Sequence, residues 1–258
     1  MQLTPHNGDQ HNLTAFFVQV DALVMVFFGE NERNMNEYIN KVINGDCIEV
    51  LKQLPTKSID LIVTDPPYGV ELDYDVYVDT EENWYKLMNE FIPEAQRVAT
   101  MVIMPSMQIK RLRWIYENHT PDWLIAWYKG SPGHVSYIGF NDWEPLLVYG
   151  KPKGLSMHDY FYAQPKPFDN GHPCPKPIEW AEWLITRASK KNELVLDPFG
   201  GSGTTAVAAI RTNRNFILIE QSAEYCAIAE KRIKEERNKL AETCYVQDLA
   251  LFGNVSQK

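Results

Sequence analysis

The stretch DPFGGSGTT, Asp197 to Thr205, decides the fold. A short apolar run, Leu194 to Leu196, precedes it and a segment of helical character runs on to Ile210, so the glycines fall where a strand turns into a helix. Backbone N–H groups at such a turn, together with the helix N-terminus, can hold an anionic group of a ligand. The next apolar run, Phe216 to Ile219, ends at Glu220. A carboxylate there can accept hydrogen bonds from both hydroxyls of a ribose. A glycine loop by itself is often only a tight turn, but Glu220 at this distance favours a nucleotide-type ligand. The loop is not GxxxxGK[ST], which disfavours a phosphate-cradling nucleotidase.

Outward from that loop, the pattern alternates. Toward the N-terminus the chain predicts a strand into Asn44, a helix over Cys47 to Leu54, a strand Asp60 to Thr64, a helix near Glu82 to Val98 and a strand Met101 to Met104. A helix near Met107 to Asn118 and strands Trp123 to Tyr128 and Glu144 to Tyr149 follow. Gly150 to Gly171, rich in Gly, Pro, Lys and aromatics, reads as an irregular insertion, and a helix starts from Pro177. The last element is a long amphipathic helix from Ser222, whose stripe Tyr225, Ile228, Ala229 and Ile233 is core packing and whose charged face is solvated surface. Strands alternating with helices predict an α/β fold, a doubly wound and mostly parallel sheet. Residues 1–34 show neither periodicity nor motif and read as an N-terminal extension of uncertain order, leaving 35–258 as the domain.

At 258 residues the chain is long enough for one substantial core. Its four cysteines, Cys47, Cys174, Cys226 and Cys244, form no CxxC pair and read as reduced thiols of a cytoplasmic protein. The apolar stretch Thr14 to Gly29 is broken by Gln19 and Asp21 and is too short to span a membrane. A net charge of −9 weighs against nucleic-acid binding, yet it is unevenly spread. Asp65 to Gln96 holds nine acidic residues and one lysine, whereas Lys151 to Lys191 holds seven basic and four acidic residues. A basic face can therefore exist inside an acidic protein.

A second motif, Asp65-Pro66-Pro67-Tyr68, follows the strand ending at Thr64. Consecutive prolines stiffen the backbone and leave carbonyls free as acceptors. An exocyclic aryl amine is a poor nucleophile, because its lone pair is delocalised into the ring. A site that activates one should accept hydrogen bonds from the amine hydrogens, which the Asp65 carboxylate and the Pro66 carbonyl can do. Tyr68 can stack on a base drawn out of a duplex. The plainer alternative is a proline turn at a strand end.

TDPPYG together with DPFGGSGTT resembles the amino-methyltransferases of DNA, and the order of the motifs, with HPCPKP (His172 to Pro177) just before the cofactor strand, resembles their circularly permuted beta group, the adenine-specific enzymes. The likeness covers roughly Tyr38 to Leu240. It implies a Rossmann-like, seven-stranded sheet with permuted motif order, S-adenosyl-L-methionine as cofactor, no metal, and direct methyl transfer to the amino group of a flipped adenine in double-stranded DNA. It further implies that Phe199, Gly201 and Gly203 surround the methionine part of the cofactor, that Ser202 and Thr204 meet its carboxylate, and that Asp197 positions the sulfonium end. Glu220 would hold the ribose, Asp46 the adenine amino group with Cys47 beside it, and Pro173, Lys176 and Pro177 would close over the cofactor, Lys176 facing its carboxylate.

HPCPKP departs from the usual HPTQKP of this family at Cys174 and Pro175. The short insertion at 150–171 is the candidate target-recognition element, with Lys151, Lys153 and Lys166 for phosphates and Phe161 and Tyr162 for stacking. N4-cytosine methylation, an RNA or protein substrate, and a catalytically silent homologue stay as alternatives, and a homodimer and a separate restriction endonuclease stay open as partners.

Overall fold

The computed structural model describes residues 35–74, 76–106, 109–130, 135–136, 139–140, 142–150, 158–165 and 176–253. The expected extension, 1–34, and the residues Lys151, Lys153, Lys166 and Pro173 lie outside them. Residues up to Tyr38 belong to one unit, of which 35–38 are described as a turn closed by Tyr38 N donating to Met35 O at 3.0 Å. The other unit, Ile39–Lys258, carries everything that follows.

Its main sheet has eight strands: β1 (Lys41–Asn44), β2 (Ile59–Val63), β3 (Ala99–Pro105), β4 (Trp123–Tyr128), β5 (Trp143–Tyr149), β6 (Tyr160–Tyr162), β7 (Leu194–Asp197) and β8 (Asn215–Glu220). They lie in the order β1-β8-β7-β2-β3-β5-β4-β6. Neighbouring strands pair in parallel except at β5, which runs antiparallel to both β3 and β4. The helices are α1 (Cys47–Gln53), α2 (Glu81–Val98), α3 (Ile109–Asn118), α4 (Ile178–Ala188), α5 (Thr204–Arg211) and α6 (Ala223–Gly253).

The central strands β2 and β7 read as apolar runs, interrupted only at Asp60 and closed by Asp197, because helices cover both faces. Leu61, Val63, Val195 and Leu218 pack with Trp180 and Leu184 of α4, Ala206 to Ala209 of α5 and Ala229 of α6. Leu51 of α1 and Met88, Phe91 and Ile92 of α2 are buried with the other helical layer. Local signals set the helix starts. Asp46 caps α1, its Oδ1 accepting from Ile48 N at 2.9 Å and Glu49 N at 3.1 Å, and Thr80 caps α2 through Asn83 N. Gly203 begins α5 at φ +86°, where a Cβ would lie 2.9 Å from that of Ala229, so no larger residue fits without displacing α6.

The permuted order closes as the sequence implied. Each residue of β1 pairs with one of β8, ending at Asn44 opposite Glu220. From β7 the chain moves outward to β8, and from β2 outward the other way to β3, so the carboxyl ends of β7 and β2 form the switch point where open α/β sheets bind ligands.

The sheet has one strand more than expected. Tyr160–Tyr162, inside the segment read as irregular, adds to β4 in parallel as an edge strand. Its burial alternates, with Tyr160 and Tyr162 exposed and Phe161 buried. Phe161 therefore does not face a nucleic acid: it points inward and stacks on Trp183 with ring centroids 4.2 Å apart.

Candidate active site

At the switch point, a cleft of about 210 Å³ is bounded by the ends of β1, β2, β7 and β8. Asp46, Cys47, Asp65, Pro67, Tyr68, Lys176, Asp197, Phe199, Gly201, Ser202, Thr204 and Glu220, widely separated in the chain, all line it. Pro66 is buried behind the turn, and Pro177 is the N-cap residue of α4 next to Lys176.

The glycine loop is fastened to Glu220. Gly201 N donates to Glu220 Oε2 and Ser222 N to Glu220 Oε1, each at 2.8 Å, so the carboxylate is fixed by two backbone groups with further lone pairs left for a ligand. Phe199 is held edge-on against Phe91 with centroids 5.0 Å apart. The loop is also braced from behind. Arg232 of α6 donates through Nη1 to Ser202 O, to Ser202 Oγ at 2.9 Å and to Thr204 Oγ1 at 3.4 Å. Both hydroxyls expected to meet the cofactor thus touch a guanidinium first. Sequence reasoning missed Arg232 because helical periodicity puts it on the charged face, which was read as solvated. Glu236 of that face is in fact buried and paired with Arg211 at 2.7 Å.

Asp197 lies under the loop, accepting from Thr64 Oγ1 at 2.6 Å and Phe199 N at 3.1 Å. Burial pushes its carboxyl up to about 6 from an ordinary 3.8, against the hydrogen bonds from Thr64, Thr205 and Phe199. The folded state then holds a proton that the unfolded chain releases, so this group's contribution to stability is greatest below about pH 4 and falls as pH rises to about 6. Asp197→Asn keeps the acceptor oxygen and abolishes that titration. The melting temperature of the variant minus that of the wild type is expected to be several degrees larger at pH 8 than at pH 5, and an equal difference at both would exclude the assignment. The Cys47 thiol is likewise pushed up, to about 12, by burial and then by Asp46, which makes it inert at neutral pH.

The DPPY turn leaves β2 beside this loop. Tyr68 Oη donates to Asp65 Oδ1, and Lys176 Nζ lies 2.9 Å from both Asp65 Oδ2 and Tyr68 Oη. The same ammonium stands 5.2 Å from the Tyr68 ring centroid. Lys176, which the sequence placed at the cofactor's carboxylate, is thus engaged with the DPPY motif. Tyr68 is 7% exposed, with the ammonium over its ring rather than an open stacking face. Two residues without a sequence signal shape the chain after the turn. Asp79 accepts from Gly69 N at 2.7 Å and Val70 N at 3.0 Å, and Arg111 donates to Gly69 O at 2.9 Å.

Charge decides what such a cleft admits. Its lining holds four carboxylates, Asp46, Asp65, Asp197 and Glu220, against one ammonium, Lys176. That balance disfavours a pyrophosphate-bearing dinucleotide, which a strand–glycine loop–helix otherwise suits, and favours a ligand with a positive centre. The sulfonium of S-adenosylmethionine is such a centre. Trp180, whose buried indole N–H has no partner among the described residues, also lines the cleft.

Comparison with known proteins agrees. Residues 134–231 match the family described as DNA methylase. The chain is 28% identical over 259 residues to the type II methyltransferase M.HinfI of Haemophilus influenzae, covering 79% of this chain and 71% of that protein. It is 26% identical over 271 residues to the DNA adenine methyltransferase YhdJ of Escherichia coli K12, covering 84% and 90%. Among solved structures, the M1.HpyAVI–SAM complex superimposes with a TM-score of 0.56 at 26% identity, over 75% of this chain and 98% of that one. The PvuII cytosine-N4-specific DNA methyltransferase, 17% identical with a TM-score of 0.58 over 77% and 91%, shares the fold. The cleft, the permuted strand order and these likenesses converge: the chain is an S-adenosylmethionine-dependent methyltransferase, similar in sequence and fold to the amino-methyltransferases of DNA.

Proposed function

We propose that this enzyme methylates the exocyclic N6 amino group of adenine in double-stranded DNA, and that residues 35–258 form its methyltransferase domain. The observation that carries the reading is Asp65 at the end of β2, with the glycine loop and Glu220 lining the same cleft. S-adenosylmethionine supplies an electrophilic methyl group when bound. The chain's own residues bring the two reactants together, which is where most of the acceleration arises in a direct transfer. Glu220 and the Gly201 turn hold the donor, and Asp46 lies on the adenine side.

Asp65 and the Pro66 carbonyl accept the two amine hydrogens of the target base. This draws the nitrogen's lone pair out of conjugation and gives Asp65 the proton that must leave as the new C–N bond forms. The base reaches this depth by rotating out of the duplex, as enzymes acting on base atoms require. The adenine assignment is supported by the aspartate that opens the motif and by relatives such as the DNA adenine methyltransferase YhdJ.

The segment 150–171 is the proposed target-recognition element, with Tyr162, 58% exposed, open for stacking where Phe161 is not. Relatives of type II restriction-modification systems favour a separate endonuclease partner and a cytoplasmic setting, and a homodimer is compatible with this reading. Incubating unmethylated genomic DNA with purified protein and labelled cofactor, followed by nucleoside mass spectrometry, is expected to yield N6-methyladenine. Labelled N4-methylcytosine would overturn the base assignment, and unlabelled DNA the substrate.

A further inference from the structure

We propose that Lys176 is a gate on the catalytic turn and that Glu144 is its second seat: the ammonium rests on Asp65 and Tyr68 when no base is present and moves onto Glu144 when the target base arrives. This rests on Asp65 being the acceptor for the amine.

The first ground is steric and electrostatic. Lys176 Nζ occupies what the base needs, since it binds Asp65 Oδ2 at 2.9 Å and covers the Tyr68 ring. A carboxylate already bound to an ammonium is a poor acceptor for an amine hydrogen. The Lys176 side chain is itself only 8% exposed, so leaving Asp65 without another anion would strand a buried charge.

The second ground is Glu144. It is 3% exposed, its Oε2 is 3.5 Å from Lys129 Nζ, and its Oε1 has no hydrogen-bond partner among the described residues. Orphaned buried carboxylate oxygens are costly and call for a reason. Topology supplies one. β5 alone runs against the sheet, so its first residues, Glu144 among them, reach the edge where β2 and β4 end. Glu144 pairs in register with Trp127, and Lys176 Nζ stands 5.7 Å above the Trp127 ring. Burial raises the Glu144 carboxyl, and the charge of Lys176 opposes that rise, as do the charge and hydrogen bond of Lys129. The groups facing Glu144 are therefore Lys176, Lys129 and, as a repelling charge, Asp65. Two carboxylates with one mobile ammonium between them give two states of nearly equal charge balance, and the base selects one of them.

The test is a double-variant cycle read by single-turnover methylation of unmethylated genomic DNA, with cofactor affinity and melting temperature measured alongside. Glu144→Gln removes the second seat at almost constant shape. It is expected to slow transfer about tenfold, a coupling typical of contacting charges, while cofactor affinity changes less than twofold. In the Lys176→Met background the same substitution is expected to have no further effect, because no ammonium is left to seat. Equal rates for Glu144→Gln and wild type, or effects that multiply independently, would overturn the gate. Should Glu144→Gln lose its cooperative melt, Glu144→Asp, which keeps the charge at shorter reach, carries the same cycle and is expected to slow transfer less. A wild type that labels no DNA would instead sink the substrate reading, so the two failures are distinct.

Discussion

Replacing Asp65 by alanine is expected to lower the methyl-transfer rate by roughly three orders of magnitude while the protein still binds S-adenosylmethionine. The carboxylate is the one charged acceptor on the DPPY turn, and it is held in place by Tyr68 and Lys176 rather than by the cofactor loop. Its loss therefore falls on the chemical step. Single-turnover kinetics with saturating cofactor separate this from a binding defect. A variant slowed less than about tenfold would mean that the Pro66 carbonyl and proximity carry the reaction without it. Asp65→Ala also removes the carboxylate that Lys176 pairs with, so part of the loss reflects the altered charge balance of the site. Asp65→Asn, which keeps an acceptor oxygen, should be similarly slow, because it cannot take the departing proton.

Glu220→Ala is expected to act in the opposite compartment, weakening cofactor affinity about 100-fold, equivalent to about 3 kcal/mol, with little effect on the rate once the site is saturated. The carboxylate does two things at once, fixing Gly201 N and Ser222 N and facing the ligand. Glu220→Gln distinguishes them. A side-chain amide can still accept from one backbone N–H but must turn its NH₂ toward the other, so the loop should loosen nearly as much as in the alanine variant. Titration calorimetry with the cofactor measures both. An unchanged dissociation constant for Glu220→Ala would remove the carboxylate from the binding site.

Much of the frame was readable in the residues because the strongest local signals coincide with the central elements. β2, β7 and β8 are apolar runs without alternation, as parallel strands covered on both faces must be, and Asp46, Thr80 and the Gly203 turn mark helix starts chemically. Three-residue β6 carries no such signal, since alternation over three positions is indistinguishable from a loop, and so Phe161 was expected outside when it is core. The site was legible as two motifs and one acid but not as a circuit. That Lys176 reaches Asp65, that Arg232 reaches Ser202, or that Glu144 is left with an orphan oxygen depends on pairings across 30 to 111 residues, for which spacing offers no rule.

The pairing of β1 with β8 bears on how the chain is made. Synthesis delivers β1 and β2 first, yet the two strands that separate them in the sheet, β7 and β8, emerge about 130 to 180 residues later, as the Thr64–Asp197 and Asn44–Glu220 contacts record. Until then a nascent chain on the ribosome exposes two apolar strand edges that nothing can cover. Assembly of the middle of the sheet is therefore a late, long-range event, the kind that folds slowly and invites association while it waits. The two halves of the cleft become neighbours only in that last step, so an incompletely translated chain carries the DPPY turn without the glycine loop and Glu220 that complete the site.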